Sequence, residues 1–363
     1  MRIRSCIFLF SLFLIVHTNK LNAQIHDFDS LISHNKAFKE IAERIGDTLD
    51  LYNGSEILKV TLISDFKNLV KRKYKNEYQD AVFKIILYDT VQVTRNIKIV
   101  PRGNVRKSTC FIPPIKLNFP KKNAFIKHME SFDKLKMVLD CKRGENYEQY
   151  VLSEYYAYKI QNIINNYSLR ARLLLVTYID QSGKFKEITK YAFILESINQ
   201  CAERQNAIRI ETKHIKDVNT NVQVLADAYL YQYLIGNTDW SIPAMHNIYL
   251  IKSKDPLNQN PYVIPYDFDY AGIVNANYAV PDELLGIESV RERAYRGVCI
   301  GNNQLLQSRT LFMDKKKEIY QLYEKDTLLS KNNKRSTIYY LDEFFELIEN
   351  ENAFKRNVLQ SCR

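Results

Sequence analysis

The stretch from Leu234 to Gly272 constrains this chain most. A helical stripe through Val222, Leu225, Ala228, Tyr229 and Gln232 leads to Gly236, a residue suited to closing a helix. Asn219 or Thr220 is placed to cap its start. Beyond it, two short apolar runs, I-Y-L-I and V-I-P-Y, fold back on one another as a hairpin. Its arms are Asn247–Lys254 and Pro261–Asp269, around a turn at Leu257–Asn258 that Asp255, Pro256 and Asn258 favour. Counting from that turn sets Asn247 opposite about Phe268. Strand side chains alternate faces, so Asp267 and Asp269 point the same way, beside Asn247. Asp239, on the loop after the helix, faces this cluster.

Upstream, strand-like runs occupy Glu56–Ser64, two segments of Ala81–Ile99 turning at Asp89, Phe111–Phe119 and Leu135–Asp140. A helix over Asn146–Asn165 carries Leu152, Tyr156, Ile160 and Ile164 on one face. Strands at Arg172–Asp180 and Lys190–Glu196 follow, joined at Ser182-Gly183. The tail, Ser308–Arg363, is charged and helical in pattern. A strand-rich half followed by a helix-rich half with one hairpin predicts an α+β architecture of two unlike lobes. Only 10 glycines and 9 prolines occur, so no linker or low-complexity segment is expected.

The N-terminus reads as an export signal. M-R-I-R precedes an apolar run from Cys6 to Val16, then a polar stretch ending at Ala23. The run is too short to span a bilayer, and no later run is long enough, so no transmembrane segment is expected in the mature chain. The expected location is periplasmic, cell-surface or secreted. Removing Arg2, Arg4 and Lys20 from the 52 basic residues leaves 49 against 41 acids, a net +8. Basic residues cluster at 71–75 and 291–296 without the aromatic interleaving of a nucleic-acid groove, so no nucleic-acid partner is expected. Of the five cysteines beyond the leader, Cys110 and Cys141 flank neighbouring strand runs and are candidates to pair, and Cys299 and Cys362 are candidates to pin the C-terminus; one of the five stays free or pairs between chains, and spacing does not fix which.

The amide and acids of the hairpin suit a hard ion such as Mg2+ or Mn2+. Phosphoryl transfer needs a base for the acceptor hydroxyl, oxygen ligands for metal, and cations on the phosphates. Asp239, Asn247, Asp267 and Asp269 supply the first two parts. For the third, Lys116 lies in P-P-I-K-L-N-F with Ile115 and Leu117 turned to the core, and Glu154 on the next helix is its expected partner. No phosphate-binding glycine loop is present; Arg102 and Arg106 around Gly103 are the expected substitutes. G-x-S-x-G and H-E-x-x-H are absent. His246, a lone histidine beside a turn, reads as structural.

These pieces, in order, resemble the spore-coat-kinase-like (CotH-type) family, an atypical branch of the protein-kinase-like fold. The resemblance rests on R-G-N-V-R-K-S at 102–108, P-P-I-K-L-N-F at 113–119 and K-M-V-L-D-C at 136–141. It continues through Y-V-L-S-E-Y-Y-A-Y-K-I at 150–160, Y-A-F-I-L-E at 191–196, G-N-T-D-W at 236–240, H-N-I-Y-L at 246–250 and P-Y-D-F-D at 265–269. It implies a two-lobed fold: an N-terminal extension at 24–57 after a signal peptide at 1–23, a nucleotide-side lobe at 58–197 and a lobe carrying the catalytic loop at 198–363. It implies ATP as donor, a divalent metal, and a protein or other hydroxyl-bearing acceptor. By position, Asp239 is the catalytic aspartate, Asp267 the metal aspartate, Lys116 the nucleotide lysine, and Ile194–Ser197 the segment near the adenine. Two departures stand out. Asp239 and Asn247 lie further apart than in ordinary kinases, and Asp269 stands where those have glycine. Two other functions compete: a catalytically silent binding module at the cell surface or in the periplasm, and a metal-dependent phosphoesterase using the same acids.

Overall fold

The computed structural model describes residues 51–52, 56–87, 91–103, 107, 110–119, 134–140 and 144–363. The leader at 1–23, most of the extension at 24–57, the turn at Asp89, Arg106 and Cys141 lie outside these residues.

Seven strands dominate the first half: β1 (Leu58–Ser64), β2 (Gln79–Leu87), β3 (Val91–Pro101), β4 (Ile115–Asn118), β5 (Lys134–Leu139), β6 (Ala171–Asp180) and β7 (Ile188–Leu195). Helix α1 (Phe66–Lys71) follows β1, and the long helix α2 (Glu145–Ile164) lies between β5 and β6. The strands close into a barrel in the order β1-β2-β3-β4-β5-β7-β6. Closure is made by β1 and β6, which pair in parallel from Leu58↔Leu174 to Ser64↔Asp180. This corrects the expected two-lobed kinase-like fold; only the coarse α+β class holds. Alternate apolar residues point inward, among them Leu62, Ile99, Ile115, Leu117, Met137 and Val176, all fully buried in one cluster. Pairing the two outer strands buries that face and removes both sheet edges.

The second half begins at α3 (Ile198–Arg204), whose cap Ser197 exchanges hydrogen bonds with Gln200 in a capping box. Strands β8 (Ala207–Ile210), β9 (Ile248–Ser253) and β10 (Tyr262–Pro265) form a small sheet ordered β10-β9-β8. Helix α4 (Val222–Ile235) packs on β10, and helices α5 (Asn302–Glu324) and α6 (Lys331–Glu349) pack on α4 and on each other. The single stripe expected on α4 understates it: every residue from Val224 to Ile235 is buried. Such a helix is enclosed rather than amphipathic, and α2, α5, α6 and β10 all contact it. Its cap is Asn221 rather than Asn219 or Thr220, the side chain accepting from the Val224 amide at 3.1 Å.

The hairpin forms with its register moved by two residues. Ile248 pairs with Pro265 and Ile251 with Tyr262, and the Tyr266 amide donates to the Asn247 carbonyl at 3.0 Å. Asn247 therefore lies across from Tyr266, not Phe268. A two-residue shift preserves the side-chain face, but β10 ends at Pro265, so strand alternation does not extend to Asp267 and Asp269.

Cys299 and Cys362 form a disulfide that ties the C-terminus to the loop before α5. Cys110 is also disulfide-bonded, and Cys201 is a buried free thiol whose pKa burial pushes up to about 12. Among the described residues no helix is long and apolar enough to cross a membrane.

Candidate functional site

Two loops meet beneath the barrel. The first follows α4, which Gly236 closes in the left-handed conformation at φ 65°. The second follows β10. Gly272 N–H donates to the Gly236 carbonyl at 3.0 Å, and Ile273 N–H to that of Ile235 at 2.9 Å. A side chain at either glycine would run into the Tyr340 hydroxyl. Close approach of the loops thus requires both glycines.

On the first loop, Asn237 accepts from the Asp239 amide at 3.1 Å, and its carbonyl receives the Trp240 indole N–H at 3.1 Å. Arg296 donates to the carbonyls of Thr238 and Trp240 from the other side. Held this way, Asp239 presents a carboxylate that is 40 % exposed. Its Oδ1 lies 2.7 Å from Nε2 of His246. The Asn247 amide donates to the Asp239 carbonyl at 2.8 Å and to Oδ2 at 2.9 Å. Asn247 occupies the left-handed region at φ 52°, which asparagine tolerates better than most residues. With its amide nitrogen committed to Asp239, its Oδ1 is the atom left to accept.

On the second loop, Asp267 also takes a left-handed conformation, at φ 66°. Its backbone N–H donates to the Tyr158 hydroxyl at 2.9 Å. Gln161, one turn further along α2, donates to the Pro265 carbonyl at 3.2 Å. Helix α2 therefore anchors the end of β10 and sets where Asp267 emerges, half-buried. Asp269 is buried, at the turn after Phe268. Glu154, one turn before Tyr158, is also buried. Its charge acts on the phenols of Tyr158 and Tyr231, both held well above their ordinary pKa chiefly by burial.

Cations gather opposite these acids. Lys116 and Lys136 are register partners on β4 and β5, with Ile115, Leu117, Leu135 and Met137 turned into the barrel core. The expected outward orientation of Lys116 therefore holds, and the charges of Arg102 and Lys134 act on it. Burial, then those two charges, lower its pKa.

Lys136 is the residue that sequence reasoning passed over. Its Nζ donates to the Tyr249 hydroxyl and lies 5.0 and 4.8 Å from the ring centres of Tyr249 and Tyr266. Those rings stack across β9 and β10 at 4.0 Å. Burial and then Arg102 depress the Lys136 pKa to about 7, while Asp267 pulls it up and Lys116 and Arg209 push it down. Arg102, Lys116, Lys136 and Arg209 thus share one electrostatic neighbourhood with Asp267. No local pattern marks Lys136, because its tyrosine partners come from strands more than a hundred residues away. His246 was equally hidden: its sequence context reads as a turn, yet it contacts Asp239.

Among the described residues no group of three or more His, Cys, Asp or Glu gathers as a metal-ligand cluster. The hard-oxygen donors Asn247 Oδ1 and Asp267, with Asp269 nearby in sequence, suit an ion that keeps waters and shares ligands with bound phosphates, as Mg2+ does. No family model matches the chain, and no curated protein matches it.

Proposed function

We propose that this protein is a metal-dependent phosphotransferase, moving the terminal phosphoryl group of ATP to a hydroxyl on a protein or other acceptor. The observation that carries this reading is the double hold of Asn247 on Asp239, one residue pair across from Tyr266 and the Asp267 turn. It sets a half-exposed carboxylate, an amide oxygen and a second carboxylate on two loops stitched backbone to backbone. The order of motifs resembling the spore-coat-kinase-like family points the same way. Support comes from the site and not from the overall fold.

In this reading Asp239 accepts the proton of the attacking hydroxyl, as a positioned base does in phosphoryl transfer. His246, on Oδ1, and Asn247, on Oδ2, orient that carboxylate. Arg102, Lys116 and Lys136 hold the phosphates, and their mutual repulsion is relieved by the bound anion. Asn247 and Asp267 would hold a Mg2+ or Mn2+ ion, which neutralises phosphate charge when bound. The stacked Tyr249 and Tyr266 give Lys136 a wall that excludes water and strengthens its attraction for an anion.

A second reading rests on one observation: both carboxylate oxygens of Asp239 already have partners. A catalytically silent module would keep the cationic pocket and bind a nucleotide or acidic partner without turnover. Incubation with γ-labelled ATP, Mg2+ or Mn2+ and candidate acceptor proteins separates the two. The phosphotransferase reading expects labelled acceptor that Asp239→Asn and Asp267→Asn abolish. Label transfer that survives both substitutions, or nucleotide binding with no transfer to any acceptor, contradicts it.

A further inference from the structure

The barrel also holds a cavity at one end, lined by none of the acids and cations described above. The barrel interior is filled along most of its length by the cluster around Leu62, Ile115, Leu117 and Met137. Packing stops at the end where β1, β5 and β6 terminate and β7 begins. There a cavity of about 490 Å3 opens, inside the size range of small-molecule pockets, which favour barrel mouths.

The walls of this cavity are aromatic and aliphatic. Phe66 lies edge-on to Tyr178 with ring centres 5.6 Å apart, and Phe111 faces Phe185 at 5.2 Å. Ile112 and Leu139 complete the apolar lining. Charged residues from the turn after β6 sit at the rim, among them Lys184 and Lys186. Asp180 also lines the mouth, but its oxygens are committed to the amides of Phe66, Lys184 and Phe185 and to the Ser182 hydroxyl.

One polar group in the lining is not used by the fold, and a second lies close to it. Tyr178 is 3 % exposed, and its hydroxyl has no hydrogen-bond partner among the described residues. A buried, unpaired hydroxyl has already lost its water, so a ligand oxygen beside it gains that hydrogen bond at little desolvation cost. Asp140, at the end of β5, lies near enough for its charge to act on that phenol. Its carboxyl is 3.9 Å from Lys190, which also lies 3.8 Å from Glu148. Among the described residues the lining carries three lysines, Lys184, Lys186 and Lys190, against three acids, Asp140, Asp180 and Glu187, so the cavity has no net charge to draw an ionic ligand. Flat aromatic walls and one idle donor instead suit a neutral ring compound with one oxygen.

We propose that the barrel mouth binds a small, uncharged, ring-bearing molecule whose hydroxyl or carbonyl oxygen accepts a hydrogen bond from Tyr178. The site lies on the barrel's inner face, whereas Lys116 and Lys136 lie on its outer face, so its occupancy does not depend on the phosphotransferase reading.

The probe is Prodan, an uncharged naphthyl ketone whose emission reports both an apolar setting and a hydrogen bond to its carbonyl. Titrated against the full chain, it should saturate at one site with emission shifted to the blue of its value in water. Tyr178→Phe should weaken binding roughly fivefold, the effect of one hydrogen bond, while melting no lower than the parent. Ile112→Trp, at the partly exposed mouth, should abolish saturable binding by filling the cavity, with its circular dichroism unchanged. Asp239→Asn should leave binding unaltered. Failure of the parent to bind saturably, persistence of binding in folded Ile112→Trp, or equal affinity in Tyr178→Phe would each overturn the proposal.

Discussion

The side-chain amide of Asn247 grips Asp239 at two points, the backbone carbonyl at 2.8 Å and the carboxylate Oδ2 at 2.9 Å. The contact fixes the rotamer of the proposed base and leaves the amide oxygen free to accept. Replacing Asn247 with alanine should lower kcat by about a hundredfold, the lower range for losing a positioned proton acceptor. It should also cost about 1 kcal/mol because Asn247 sits at φ 52°. Asn247→Gly separates the two effects. Urea unfolding should show its stability restored relative to alanine, while kcat stays low.

Lys136 should make nucleotide binding depend on pH. Burial and Arg102 hold its pKa at about 7 in the free protein, and a phosphate beside it raises that value. Titration calorimetry at about pH 8, a unit above that pKa, in buffers of different ionisation enthalpy should therefore detect proton uptake on ATP binding. Uptake should fade below about pH 6, where Lys136 is already charged, and vanish in Lys136→Met.

The same depressed pKa bears on stability. Because the folded value lies below the unfolded one, the penalty for burying the charge is complete below about pH 7 and is relieved as pH rises toward the unfolded pKa. Lys136→Met should accordingly gain most over the parent at or below about pH 7, the gap narrowing by about pH 10. Thermal unfolding across that range checks the sign.

Glu196 joins the barrel to the second half. It is 2 % exposed and accepts from Arg204 at 3.0 and 2.8 Å, from Arg170 Nε at 3.2 Å and from the Arg170 amide at 3.1 Å. Glu196→Gln leaves two arginines facing a neutral amide and should destabilise by about 3 kcal/mol, the lower end for breaking a buried ion pair. Equilibrium urea unfolding measures this directly.

Two glycines with nearly the same backbone angle should respond differently to alanine. Gly183 is at φ 66° with open space where a methyl would stand, whereas at Gly236, φ 65°, that methyl collides with Tyr340. Gly183→Ala should cost about 1–2 kcal/mol from backbone strain alone. Gly236→Ala should cost clearly more and lower transfer activity, because the loops of Asp239 and Asp267 part.

Much of this arrangement is legible in local sequence. The strand runs, the stop at Gly236 and the Ser182-Gly183 turn follow from patterning and turn chemistry, and each forms within a few residues of where the pattern places it. What local pattern does not carry is long-range pairing. Nothing near Leu58 announces a parallel partner at Leu174, so two strand runs read as parts of a lobe instead close a barrel. Y-D-F-D alternates like a strand, yet Asp267 turns to φ 66° because its amide is captured by Tyr158 from α2. Lys136 reads as an ordinary outward lysine until β9 and β10 bring Tyr249 and Tyr266 against it.

The central claim, an ATP site built from the cations of the barrel's outer face and the acids of the hairpin, is tested most directly by calorimetric titration of ATP with and without Mn2+. The account predicts one-to-one binding that requires the ion and is lost in both Lys136→Met and Asp267→Asn. Binding that ignores the ion, or that survives both substitutions, would contradict it.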